Sequence, residues 1–236
     1  MRALTLLAVA SVASAAFAFP YSTSFESPFT PGALDMQQGW ESTDTVQSYT
    51  IANVGAGART GSQVVRFADK AGTAPWATRQ LPGGTTFAIA AVSVFIPTTT
   101  SADYIFGLDA FFDVLSLDQA NISFDSSGRI WGTQTAGNIS QIGTLGGAAT
   151  NRWVDLRLTL NLTTNTAVGF IDGQTFNLAS VGTATSISSV DLFSFDRGTN
   201  VGGVAWYDDY AAVPEPMTMT VLAAGLALAA RRRRKA

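Results

Sequence analysis

The stretch Trp153-Val154-Asp155-Leu156-Arg157-Leu158-Thr159-Leu160-Asn161-Leu162 decides the fold of this chain. Val154, Leu156, Leu158, Leu160 and Leu162 alternate with Asp155, Arg157, Thr159 and Asn161. Successive side chains point to opposite sides of a β-strand, so this period of two predicts a strand with one face in a core and one in water. The chain then turns through polar residues 161–166 and becomes apolar again over 167–171. It next meets Asp172-Gly173, a pair that tolerates the positive φ of a tight hairpin, before a further strand over 174–178. Three consecutive antiparallel strands are expected here.

Working outward, residues 85–96 are almost continuously apolar and stop at Pro97, which predicts a central strand covered on both faces. Shorter runs at 62–68, 76–81, 104–108, 111–117, 121–125, 128–133, 189–195 and 204–210 supply further strands, with Asp125-Ser126-Ser127-Gly128 as a turn. The wealth of Thr, Ser, Gly and Val favours short strands over helices. The expected fold is all-β, a single antiparallel two-sheet jelly-roll β-sandwich over residues 19–212. Those 194 residues suffice for one substantial core.

Both ends read as addresses. In residues 1–18, Arg2 supplies one positive charge, 3–15 form a short apolar core, and Ala16-Phe17-Ala18 offers a small-x-small cleavage site. That is the pattern of a secretory signal peptide, with a mature start at Phe19. Residues 213–236 open with Val213-Pro214-Glu215-Pro216, where two prolines fix their own φ and keep Glu215 out of a helix. An apolar run of 14 residues follows over 217–230, short of the roughly 20 that a plain membrane span needs. It ends in Arg231, Arg232, Arg233, Arg234 and Lys235, a cationic stop that stays on the cytoplasmic side.

This order of elements resembles the PEP-CTERM sorting tail of Gram-negative bacteria, with Pro214, Glu215 and Pro216 matching the signature tripeptide and Arg231 to Arg234 the stop. The resemblance implies export, a transient hold in the inner membrane, and processing by an exosortase. It further implies a place at the cell surface or in the extracellular matrix, among exopolysaccharide and biofilm.

Charge and absences narrow the function. Six of the 14 basic residues (Arg2, the four terminal arginines and Lys235) and one of the 17 acidic ones (Glu215) lie in the end segments. The body therefore carries 8 basic and 16 acidic residues, a net charge of −8, which argues against nucleic acid as a partner. With no cysteine, the exported body has no disulfide and relies on its core. With no histidine, it has neither a Ser-His-Asp triad nor an imidazole zinc site.

The body has a resemblance of its own, carried by Phe25-Glu26, Gln38-Gly39-Trp40, Thr60-Gly61-Ser62-Gln63, Trp153, Asp172-Gly173 and Trp206-Tyr207-Asp208-Asp209-Tyr210. These look like the jelly-roll modules of concanavalin-like and laminin-G-like proteins and of carbohydrate-binding modules. That likeness implies a structural Ca²⁺ held by Glu26 with Asp208 or Asp209. The competing reading is that the two aspartates solvate the end of the last strand. Trp76, after Pro75 at a loop edge, and Trp153, on the polar parity of its strand, are the tryptophans placed to stack on a sugar.

Catalysis is not expected. A glycosidase on this fold wants two carboxylates flanking a bond, supplied by acidic residues alternating along a strand. The body holds two glutamates, Glu26 and Glu41, and no Glu-x-Asp-x-x-Glu pattern. Asp109, Asp113 and Asp118 are four and five residues apart, and Asp191 and Asp196 five apart, so no alternating pair forms. Asn121, Asn138 and Asn161 open Asn-x-Ser/Thr triplets that polar turns generate by chance. The sequence thus points to an exported, non-catalytic surface or matrix protein that associates with exopolysaccharide and binds carbohydrate, with no catalytic residue and no cofactor beyond calcium. The alternatives are an exopolysaccharide-acting glycoside hydrolase or lyase, and a ligand-free structural protein that self-associates.

Overall fold

Alternation builds the framework strand by strand in the computed structural model, which describes residues 21–42, 48–68, 76–113, 120–135, 138–179, 182–198 and 203–214. The strands are β1 (Tyr21–Thr23), β2 (Gly32–Ala33), β3 (Trp40–Ser42), β4 (Tyr49–Asn53), β5 (Gln63–Ala68), β6 (Trp76–Arg79), β7 (Phe87–Phe95) and β8 (Tyr104–Phe112). They continue with β9 (Ala120–Asp125), β10 (Arg129–Thr135), β11 (Asn138–Thr144), β12 (Trp153–Asn161), β13 (Thr166–Ile171), β14 (Gln174–Asn177), β15 (Ile187–Asp196) and β16 (Val204–Pro214). Among the described residues the helical structure is one 3₁₀ turn, Gly55–Gly57.

Two antiparallel sheets form a β-sandwich. One runs β14-β13-β12-β7-β16-β5-β4-β2, with β1 added against β16; the other runs β11-β10-β9-β8-β15-β6-β3. β12 behaves as its sequence dictates. Val154, Leu156, Leu158 and Leu160 are buried while Asp155 and Arg157 are exposed, and the strand pairs with β7 from Trp153↔Phe95 to Asn161↔Phe87. Burying each such leucine contributes about 1.5–3 kcal/mol. Asp172 (φ 49°) and Gly173 (φ 84°) make the expected hairpin turn into β14, both in the left-handed region that a type I′ turn requires.

Several expectations change. β7 is central, between β12 and β16, but only one of its faces is fully closed: Ala88, Ala90, Val92 and Val94 are buried, while Ile89, Ala91 and Phe95 are half-buried. The separate strands expected at 104–108 and 111–117 are, over the described residues, one continuous β8 to Phe112, with 114–117 outside the described residues, and the polar Asp109 that interrupted the apolar run sits on the strand's other face. β1 to β4 are too short, and β11 too polar, to show in the pattern; β11 has no buried residue.

β16 continues past residue 212, with Val213 opposite Ile89 and Pro214 opposite Ala88. Pro214 ends the strand, where a missing N–H is tolerated. The expected signal peptide over 1–18, and Glu215, Pro216 and Arg231 to Arg234 of the expected sorting tail, lie outside the described residues. The core between the sheets is aromatic at one end, where Trp40 meets Tyr210 edge-on at 4.9 Å and Phe25 at 5.7 Å, and aliphatic along β12, β7, β8 and β9.

Candidate functional site

The face of the seven-stranded sheet that points away from the core carries the chemistry. On β8, Tyr104, Phe106, Leu108, Ala110 and Phe112 enter the core, so the pleat turns Ile105, Gly107, Asp109 and Phe111 outward. On β9, Ala120, Ile122 and Phe124 face the core and Asn121 and Ser123 face outward. On β15, Val190 and Leu192 face the core, and Asp191 and Phe193 outward.

The register sets Asp191 directly opposite Asp109, and Asp109 opposite Asn121. Thr78 of β6 donates its hydroxyl to Asp191 Oδ1 at 2.6 Å, and the Asn121 backbone N–H donates to Thr133 Oγ1 of β10 at 2.9 Å. A polar row, Thr78-Asp191-Asp109-Asn121-Thr133, therefore crosses five adjacent strands.

The next row out is aromatic at both ends. Trp76 stands opposite Phe193, Phe193 opposite Gly107, Gly107 opposite Ser123 and Ser123 opposite Trp131. Trp76 is half-buried beside Phe111, with ring centroids 5.6 Å apart. Trp131 donates its indole N–H to Asp125 at 3.0 Å and lies under the Arg197 guanidinium, 3.6 Å from the ring centre. A Cβ at Gly107 would lie 2.1 Å from the Ile122 carbonyl oxygen, so the position beside Asp109 along the strand admits no side chain.

Asp109 and Asp191 are each 1% exposed. Burial, and then the neighbouring Asp191 charge, push the Asp109 carboxyl well above the usual carboxylate range. Burial raises Asp191 to about 7, against the hydrogen bonds from Thr78 and Ser189. Asn121 Oδ1 accepts from Ser123 Oγ at 2.7 Å. By strict geometry Asp109 Oδ1, Asp191 Oδ2 and Asn121 Nδ2 have no hydrogen-bond partner among the described residues, although the Asn121 side chain lies close enough to Asp109 to hold its carboxyl down against burial.

An unmatched buried polar atom typically costs about 1–3 kcal/mol, so this row is a burden on stability. Two adjoining buried carboxylates cannot both ionise readily, so the pair favours holding one proton. The sequence search missed this pair because it looked along strands, and the pair forms across them. The off-core parity of Asp109 and Asp191 was the available signal; their register was not.

Glu26, Asp208 and Asp209 do converge, on the loop 59–63. Glu26 Oε1 accepts the Ser62 and Gln63 N–H groups, both at 2.6 Å, and these bonds hold its pKa low. Asp208 Oδ2 accepts the Arg59 and Thr60 N–H groups at 3.0 Å, while burial raises its pKa to about 6. Asp209 accepts the Thr60 hydroxyl at 2.6 Å and lies 3.5 Å from the Arg59 guanidinium. Glu26 and Asp209 also border a cleft of about 520 Å³ with Tyr21, Thr23, Phe29 and Tyr210. These carboxylates hold backbone N–H groups, and among the described residues no group of three or more His, Cys, Asp or Glu is placed to hold a metal. Trp153 is half-buried on the other sheet, 5.6 Å from Phe95, which stacks on Trp206 at 4.8 Å. It therefore shares no surface row with Trp76.

No protein-family model matches the chain, and no curated protein matches it. Solved structures do. A sialidase superposes with a TM-score of 0.61 at 7% identity over 86% of this chain and 19% of its own. A bifunctional GH43-CE protein of Bacteroides eggerthii gives 0.58 at 12% identity, over 82% and 27%. A xylan β-1,4-xylosidase from Bacillus halodurans C-125 gives 0.52 at 12% identity, over 82% and 39%. The chain spans well under half the length of each, and at these identities the likeness is one of fold, an all-β sandwich. The expectation of a non-catalytic protein is corrected here. It rested on the lack of a carboxylate pair; Asp109 and Asp191 stand directly opposite each other, and the structures that share this fold include a sialidase and a xylan β-1,4-xylosidase.

Proposed function

We propose that the protein cleaves a polysaccharide as a glycoside hydrolase, on a jelly-roll body, with Asp109 and Asp191 as its acid–base pair. The observation that carries this reading is the in-register pair itself, buried, with one unpartnered oxygen on each carboxyl. Glycoside hydrolysis needs a proton donor and an ionised partner on the two sides of one bond. A carboxyl that burial pushes well above the usual carboxylate range, beside one raised to about 7, suits that need. Lyase chemistry fits less well, because the row offers no cation to neutralise a uronate. Both carboxyls are closed to solvent in this structure. The test is the appearance of new reducing ends when purified full-length protein meets a panel of bacterial and plant polysaccharides; a panel left intact would overturn the reading.

Delivery belongs to the same proposal. Residues 1–18 direct export, and residues 215–236, which follow the end of β16, hold the chain briefly in the inner membrane for an exosortase, which places the enzyme among exopolysaccharide at the cell surface of a Gram-negative bacterium. Intact mass of the native protein is expected to show a start at Phe19 and loss of residues beyond Pro214-Glu215-Pro216. A full-length C-terminus on the mature surface protein would overturn this part.

A further inference from the structure

The cleft beside β1 and β16 is built from strained backbone. Its volume of about 520 Å³ lies within the roughly 300–1,000 Å³ usual for small-ligand sites. Asp209 (φ 51°) sits where the register of β16 against β7 slips, Asp208 standing opposite Ser93 but Ala211 opposite Ala91. This bulge sends Tyr210 into the core and turns Asp209 to the cleft. Gln38 (φ 51°) also lines the cleft, and the buried Phe25 (φ 58°) separates two lining residues, Ser24 and Glu26. Left-handed backbone at residues other than glycine is costly, and it clusters where a protein holds a ligand in place.

The lining selects a class of ligand. The hydroxyls of Ser22, Ser24 and Ser27 and the Gln38 carboxamide have no hydrogen-bond partner among the described residues, so each can exchange water for a ligand. Both carboxylates in the wall are engaged, Glu26 by the Ser62 and Gln63 N–H groups and Asp209 by the Thr60 hydroxyl. Among the described residues the lining holds no Lys or Arg. Arg79 stacks on the Tyr21 ring, 4.1 Å from its centre, and donates to the Gln38 carbonyl, so it braces two lining residues. An anionic ligand would meet two negative charges and no positive one. A neutral ligand rich in hydroxyls can both donate to and accept from the free groups, and the half-buried Tyr21 ring offers it an apolar patch. We infer that this cleft binds a short stretch of neutral glycan, apart from Asp109 and Asp191. The inference draws on the cleft's own chemistry and not on the hydrolase reading.

The experiment titrates full-length protein by calorimetry with neutral oligomers of xylose, glucose and galactose, with oligouronates and with oligoglucosamines. Saturable binding of a neutral series, and of neither charged one, is expected. Ser22 is exposed on its strand, so the β-branched Ser22→Ile suits the fold while placing an apolar group in the cleft. It is expected to weaken binding more than about tenfold with an unchanged Tm. Gln38→Asn keeps a residue that tolerates left-handed backbone and draws the carboxamide back, for an expected loss of about twofold to tenfold. Asp191→Asn, altered on the other sheet, is expected to bind as the wild type does. Preference for a charged series, equal binding by wild type and Ser22→Ile, loss of binding in Asp191→Asn, or no binding of any sugar would overturn the inference. No outcome here depends on new reducing ends, so this inference and the hydrolase reading stand or fall separately.

Discussion

Asp191 keeps its proton up to about pH 7 in the folded state because burial penalises its charge. An unfolded aspartate ionises near 3.9. Between those two values the folded chain holds a proton that the unfolded chain has released, so stability falls as pH rises through this window and levels off above it. Asp109, also raised by burial, acts in the same direction. Asp191→Asn is therefore expected to match the wild type near pH 4 and to be the more stable near pH 8, by at most on the order of 4 kcal/mol. Urea unfolding at both pH values checks this, and a wild type equally stable at both would contradict it.

Gly61 makes a second residue-scale case. Its φ is 65°, and a Cβ there would lie 2.3 Å from Glu26 Oε1, the atom that holds the Ser62 and Gln63 amides. Gly61→Ala combines left-handed strain with displacement of that carboxylate, for an expected loss of about 1–3 kcal/mol by urea unfolding. A neutral effect would show that loop 59–63 is not held by Glu26.

At the scale of elements, β12 was legible because its two faces differ in polarity at every step, and its interior leucines are fully buried. Leu158→Ala is expected to cost about 2–5 kcal/mol in a denaturant melt; less than about 1 kcal/mol would place Leu158 outside the core. β8 was only half legible. Asp109 broke its apolar run, and a polar residue in mid-strand reads as an end unless the strand's outer face carries a site. Asp109 and Asp191 could not be paired from sequence, because the pairing of β8 with β15 joins distant parts of the chain and no local pattern encodes which residues meet. Glu26 and Asp208–Asp209 were brought together in expectation by family likeness; each bonds to loop 59–63, and among the described residues no three such groups are placed to hold a metal. That their lone pairs are directed at the amides of loop 59–63 needed coordinates.

At the scale of the molecule, one sandwich serves two ends. The side chains between its sheets hold the fold, and the outer face of the seven-stranded sheet spends stability on a row of buried polar atoms. The body's net charge of −8 disfavours nucleic acid and anionic lipid as partners. The most direct test measures new reducing ends released from extracted exopolysaccharide and the polysaccharide panel by full-length wild-type protein, beside Asp109→Asn and Asp191→Asn. Cleavage by the wild type that falls about a hundredfold or more in either variant is the expected result. Release that both variants match, or no release by the wild type from any polysaccharide, would contradict the assignment of Asp109 and Asp191 as a catalytic pair.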